Sequence, residues 1–144
     1  MNDAIGNGET LWRGIKKRWL IWDPIDNVLK IAYHAYLLRP DEFDISVVRA
    51  SKGSIDEALQ PPGFHSPLSA AAGLETSEVR DLGLEVKPKS SRPARAGIWG
   101  CPSYGSPEAI DVASELVRIS QRWASAPSED DIRWVKAQCE SGDV

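Results

Sequence analysis

Apolar and polar positions alternate in short runs through the first hundred residues, and a helical period replaces them afterwards. Thr10-Leu-Trp-Arg-Gly-Ile15 is a short apolar run of β-favouring residues and predicts a strand. The runs 18–22 and 28–37 flank Asp23-Pro-Ile-Asp-Asn27, which carries turn chemistry: Asp at the first corner, Pro at the second, Asn at the exit. Together they predict a β-hairpin with a longer loop. Phe43, Ile45 and Val47 alternate with Asp44 and Ser46, the pattern of a half-buried strand over 43–50. Ser54 with Glu57 three residues on has the form of a capping box, and Pro61-Pro-Gly63 stops the short helix that it opens. Residues 60–72 read as loop with a helical turn at 68–72. Residues 76–82 read as a short helix ended by Gly83, then come a strand over 84–88, a polar connector over 89–95 and a strand over 96–100.

The clearest helix spans 107–124. Ser106 is its N-cap and Pro107 takes the first helical position, where a missing N–H costs nothing. Glu108 at the start and Arg118 and Arg122 at the end complement the helix dipole. Positions 109, 110, 113, 116, 117 and 120 share one face. Residues 126–131 break this helix and cap a last one through about 138, with Ile132, Val135 and Cys139 on its inner face. Strands first and helices last predict an α+β fold: a small antiparallel or mixed sheet of about five strands with two C-terminal helices packed on it.

The 144 residues make one domain. Residues 1–9 read as a disordered N-terminus, 10–139 as the domain and 140–144 as a C-terminal tail. The net charge of −4 lacks the basic surplus that nucleic-acid binders usually carry. Two local basic clusters run against it: Arg13, Lys16, Lys17 and Arg18, and Lys87, Lys89, Arg92 and Arg95. They make one patch only if the fold brings them together. The polar N-terminus has no signal-peptide core, no apolar run reaches the roughly 18 residues of a membrane span, and Cys101 and Cys139 are expected as reduced thiols. These features point to the cytoplasm.

Candidate chemistry is sparse. Gly100-Cys-Pro-Ser-Tyr-Gly-Ser106 has the glycine spacing of a phosphate loop, but Ser106 and Pro107 stand where that loop has Lys and Ser or Thr. What remains is a candidate anion site at a helix N-terminus, formed by Gly100, Gly105 and Ser106. Two His and two Cys, far apart, show no metal-ligand spacing, so neither metal nor cofactor is expected. Cys101 forms a dyad with His34 or His65 only if the fold joins them. Arg13 on the first strand, with Tyr33 and His34 on a later one, could hold a dinucleotide. That arrangement is loosely similar to ADP-ribosyltransferase-like folds, which implies a catalytic role for Arg13, Tyr33 and His34. Such folds also use a glutamate on a late strand, and residues 94–100 contain none.

Six tryptophans are more than average, and large aromatics concentrate at interfaces. Trp19 and Trp22 cannot both point inward in a regular strand, and Trp123 lies off the apolar stripe of the 107–124 helix. These three are the candidate partner-binding residues. In the order of Leu11-Trp-Arg-Gly-Ile15, Ala35-Tyr-Leu-Leu-Arg-Pro40, Ile45-Ser-Val-Val-Arg-Ala-Ser51 and Val79-Arg-Asp-Leu-Gly-Leu-Glu-Val86, with a late strand near Ile98, the chain resembles a group of small uncharacterised bacterial proteins with no established activity. That resemblance implies one compact bacterial domain and carries over no catalytic residue. The expected function is a small cytoplasmic interaction or accessory module of a multi-component system, of the defence or toxin–immunity type. It has no catalysis of its own and takes another protein, encoded nearby, as partner. The alternatives are an ADP-ribosyltransferase-like enzyme and a nucleic-acid-contacting adaptor working through the two basic clusters.

Overall fold

The computed structural model describes residues 4–61, 67–90, 92–120 and 122–140. The elements run β1 (Thr10–Ile15), β2 (Leu20–Asp23), β3 (Val28–Ile31), β4 (Asp44–Arg49), α1 (Ile55–Leu59), β5 (Ala70–Glu75), α2 (Thr76–Asp81), β6 (Glu85–Lys89), β7 (Arg92–Trp99), α3 (Pro107–Ile119), β8 (Arg122–Ser125) and α4 (Glu129–Glu140). Short 3-10 turns stand at Lys17–Trp19 and Tyr33–Tyr36. Six strands form one sheet in the order β6-β7-β4-β1-β5-β8, with every neighbouring pair antiparallel, and β2-β3 form a separate hairpin. The fold is α+β.

Local chemistry explains much of this. The hairpin turns where expected: Asp23 accepts hydrogen bonds from the backbone N–H groups of Ile25 and Asp26, and Asn27 takes the positive φ that Asn tolerates. The Ser54–Glu57 capping box is complete. Ser106 caps α3 by accepting from the Ala109 N–H, with Pro107 in the first turn.

Four expectations are corrected. Residues 70–72, read as a helical turn, are the start of β5, which pairs with β1 along its whole length from Thr10↔Glu75 to Ile15↔Ala70. Ala70, Ala71 and Ala72 are all fully buried, so small side chains fit there although their strand propensity is low. Residues 33–36 leave the hairpin and form a 3-10 turn. The connector over 89–95 is mostly strand, because β7 begins at Arg92 opposite Lys89. The 107–124 helix ends at Ile119. The Ser120 N–H is shared between the Leu116 and Val117 carbonyls, and residues 122–125 turn into β8 beside β5.

The N-terminal segment is docked from residue 4 onward. Ile5 is buried, and Thr76 and Ser77 donate backbone N–H groups to the Glu9 and Asn7 carbonyls. Residues 1–3 and 141–144 lie outside the described residues, as does most of the expected C-terminal tail.

The sheet is packed on both faces, unequally. One face carries the main core: Leu11 and Ile15 of β1, Ile45 and Val47 of β4, and Ile98 of β7 meet Ala113 and Leu116 of α3 and Ala35 and Tyr36 of the 3-10 turn. On the other face the short α1 covers a smaller cluster of Val48, Ala58 and Ala71, with Trp12 and Leu59 against it. Gly14 permits that cover, because a Cβ there would strike the Ala58 carbonyl and the Leu68 side chain. The α4 helix packs on β2, buries Val135, and is tied to the main sheet by the Ser69 hydroxyl donating to Asp131 at 2.7 Å.

Candidate functional site

The central strands β1 and β4 pair only over Leu11↔Arg49 and Trp12↔Val48. Beyond Trp12 their ladder stops, and Arg13 reaches across instead. Its Nη1 donates to the Ser46 carbonyl at 2.9 Å and its Nε to the Ala35 carbonyl at 3.0 Å. A guanidinium suits this task because its planar fork can serve two acceptors at once. A cleft of about 460 Å³ opens beside Arg13, walled by β1, β4, the β6–β7 hairpin, the end of α1 and the segment near Arg39.

Among the described residues six cations line the cleft, Arg13, Lys16, Arg39, Lys89, Arg92 and Arg95, and Glu42 is the one carboxylate on its wall. Trp12, Val48, Ala58 and Leu68 supply an apolar side. Several of these cations meet protein partners. Arg95, nearly buried, donates to the Glu57 carbonyl at 2.7 Å. Lys89 stands 3.5 Å from Asp44 and 3.3 Å from the Ser46 hydroxyl. Burial lowers the Arg13 guanidinium below its ordinary value, against the pull of Tyr36 and Glu42. Burial also lowers Lys16, and its cationic neighbours Arg18, Arg39 and Arg13 add to the effect. Burial and nearby Arg92 lower Arg95, against Glu57. Like charges that depress one another mark a region of positive potential. An anion entering it would relieve that repulsion.

The structure therefore joins the two basic clusters, but not whole. Arg13 and Lys16 of the first meet Lys89, Arg92 and Arg95 of the second. Lys17 turns away to the Trp134 ring and Asp131, and Lys87 to the Trp99 ring. Arg39 and Trp12 were not singled out by the sequence. Arg39 sits in a break between strands with no periodicity to flag it, and Trp12 is one of six tryptophans with nothing in the strand pattern to set it apart.

The other candidates separate. Tyr33 and His34 stack on each other at 4.2 Å in the 3-10 turn, and neither lines the cleft with Arg13. What Arg13 touches in that turn is the backbone of Ala35. The expected strand geometry for Tyr33 and His34 is replaced by this turn, so the three side chains do not form one constellation. Gly100 and Gly105 take positive φ, and Ser106 both caps Ala109 and donates to the Ser103 carbonyl, so its hydroxyl serves the turn itself. Burial pushes the Cys101 thiol up to about 11 against the pull of Arg13, which keeps it protonated and unreactive at neutral pH. His65 lies outside the described residues.

The tryptophans are mostly explained by packing. Trp19 is largely buried, under Arg13 and Lys16 at 5.4 and 5.0 Å from its ring centre, and it lines the same cleft. Trp22 is half-buried beneath Lys136 at 4.4 Å. Trp123 is off the helical stripe because it belongs to β8, not to the helix. It is half-buried, and with Ile21, Val28, Leu29 and Val117 it lines a second cavity of about 510 Å³. Burial pushes the Tyr36 hydroxyl up to about 12, against the pull of Ser120 and Arg13 beside it. Among the described residues no helix is long and apolar enough to cross a membrane.

Comparison with known proteins finds no family model, no curated protein and no solved structure that matches this chain.

Proposed function

We propose that this protein is a small binding module that holds a phosphate-bearing anion in the cleft where β1 and β4 part. The observation that carries the reading is the convergence of Arg13, Lys16, Arg39, Lys89, Arg92 and Arg95 on one cleft, in a chain whose net charge is −4. Segregating cations against the overall charge has an electrostatic cost, which a bound polyanion offsets. The cleft's size falls in the range of roughly 300–1,000 Å³ usual for small-ligand sites. A free phosphate compound and the phosphate backbone of a nucleic-acid strand offer the same chemistry.

Calorimetric titration with inorganic tripolyphosphate, and separately with a short single-stranded oligonucleotide, tests the reading. Binding should weaken steeply as salt rises. It should fall at least tenfold when exposed Arg39 and Arg92 are both changed to Glu. Undetectable binding of both compounds at low salt would sink it. A steep salt slope for the oligonucleotide alone would assign the cleft to a strand.

A second reading, contact with a protein partner as an accessory subunit, is favoured by a different observation. Ile21 and Val28 are exposed beside Trp123 and Val117 on the apolar cavity between the β2–β3 hairpin and α3. A partner lost on Ile21→Asp but kept on Arg92→Glu would belong to this surface.

A further inference from the structure

We infer that the anion is a nucleoside polyphosphate whose base lies against Trp12, an inference that rests on the cleft being an anion site. The cleft wall is divided by chemistry. Trp12 and Val48 face each other across the last rung of the β1–β4 ladder, and Ala58 and Leu68 extend this apolar side beneath the end of α1. Gly14, two residues beyond Trp12, lets the Ala58 carbonyl and the Leu68 side chain lie directly against β1, which closes this end of the apolar wall. The cations lie beyond this wall: Arg13, Lys16 and Arg39 around the parted strand ends, and Lys89, Arg92 and Arg95 on the β6–β7 hairpin.

Inorganic phosphate would use only the cationic part and leave the apolar wall wet. A ligand that fills both parts needs a flat apolar end and a multiply charged end within about 460 Å³. A purine or pyrimidine against the indole supplies the first, since bases stack on aromatic rings whatever their sequence. A short phosphate chain supplies the second. A long polyanion is less suited, because Glu42 and Asp44 flank the cations and the chain as a whole is acidic.

The test compares ADP with inorganic pyrophosphate by calorimetry on the full chain and on Trp12→Ala and Trp12→Phe. ADP is expected to bind roughly tenfold or more tighter than pyrophosphate, the scale of one base stacked on one aromatic ring. Trp12→Ala should erase that advantage and leave pyrophosphate affinity unchanged, which also reports that the cations are still in place. Trp12→Phe should restore most of it and covers the case in which the alanine variant does not fold. Equal affinity for ADP and pyrophosphate in the unaltered protein would overturn this inference and leave the anion site standing. Binding of neither would overturn both.

Discussion

The two ends of the β1–β4 pair each hold an arginine, and they treat it in opposite ways. At the paired end, opposite Leu11, Arg49 is buried and meets a carboxylate in a two-pronged bond: Nε to Glu9 at 3.1 Å and Nη2 to Glu9 at 2.9 Å. Ser51 adds a third hydrogen bond to Glu9. At the parted end, Arg13 gives hydrogen bonds from Nε and Nη1 to two carbonyls, which orient the guanidinium without countering its charge. The same residue type closes one end of a strand pair and leaves the other electrically open. The difference lies in where the acid is. Glu9 immediately precedes β1 and is carried to Arg49 by the chain, whereas Glu42 reaches Arg13 only through its longer-range field.

The largest effect should come from breaking the closed end. Glu9→Ala strips Arg49 of its carboxylate, and loss of one partner from a buried pair costs about 3 kcal/mol at a site like this one, partly open on the Glu9 side. Urea denaturation at neutral pH measures it. The same contact sets an acid limb. Burial pushes the Glu9 carboxyl up, but the bonds from Arg49, Ser51 and the Gly6 N–H outweigh it and hold its pKa below the ordinary value. The unfolded chain therefore binds the proton first. The stabilisation is fully present above roughly pH 4.3 and is lost as pH falls through the lower folded pKa. Glu9→Ala should lack this part of the acid limb, and an unchanged limb would show that other carboxylates set it.

A middle-sized effect is expected at the open end. Arg13→Lys keeps the charge, but a single ammonium cannot span the Ala35 and Ser46 carbonyls as the fork does. It should cost about 1–2 kcal/mol in the same assay. A larger loss than that of Glu9→Ala would reverse the comparison and make the open end the structural keystone.

The smallest effect on stability separates folding from binding. Ser46 is half-buried on the cleft wall, so Ser46→Leu should change stability by no more than about 0.5 kcal/mol while filling the cleft and removing tripolyphosphate binding. If stability falls by several kcal/mol instead, the wall at Ser46 is packed and the cleft is not open space.

Legibility followed the range of the interaction responsible. The hairpin turn at Asp23, the capping box at Ser54 and the Ser106–Pro107 start of α3 could be read because each is closed by partners within a few residues. The strand β5 could not, since Ala-Ala-Ala-Gly carries no strand pattern of its own and is held by β1, some sixty residues earlier. The end of α3 was misplaced for the same reason: the chain leaves the helix to pair with β5, and helical periodicity says nothing about that edge. With it went the puzzle of Trp123.

For the site, both basic clusters and the prominence of Arg13 were on view in the sequence. Arg39, the role of Trp12 and the separation of Arg13 from Tyr33 and His34 were not. The sequence by itself determined the α+β class, the local turns and caps, and the inventory of charges. The tertiary structure alone decided that β1 and β4 should part beyond Trp12, and that cations from three distant segments should face one another there. Caps and turns are decided by groups a few bonds away, but a cleft is decided by which strands lie side by side. That choice belongs to the packing of the whole chain.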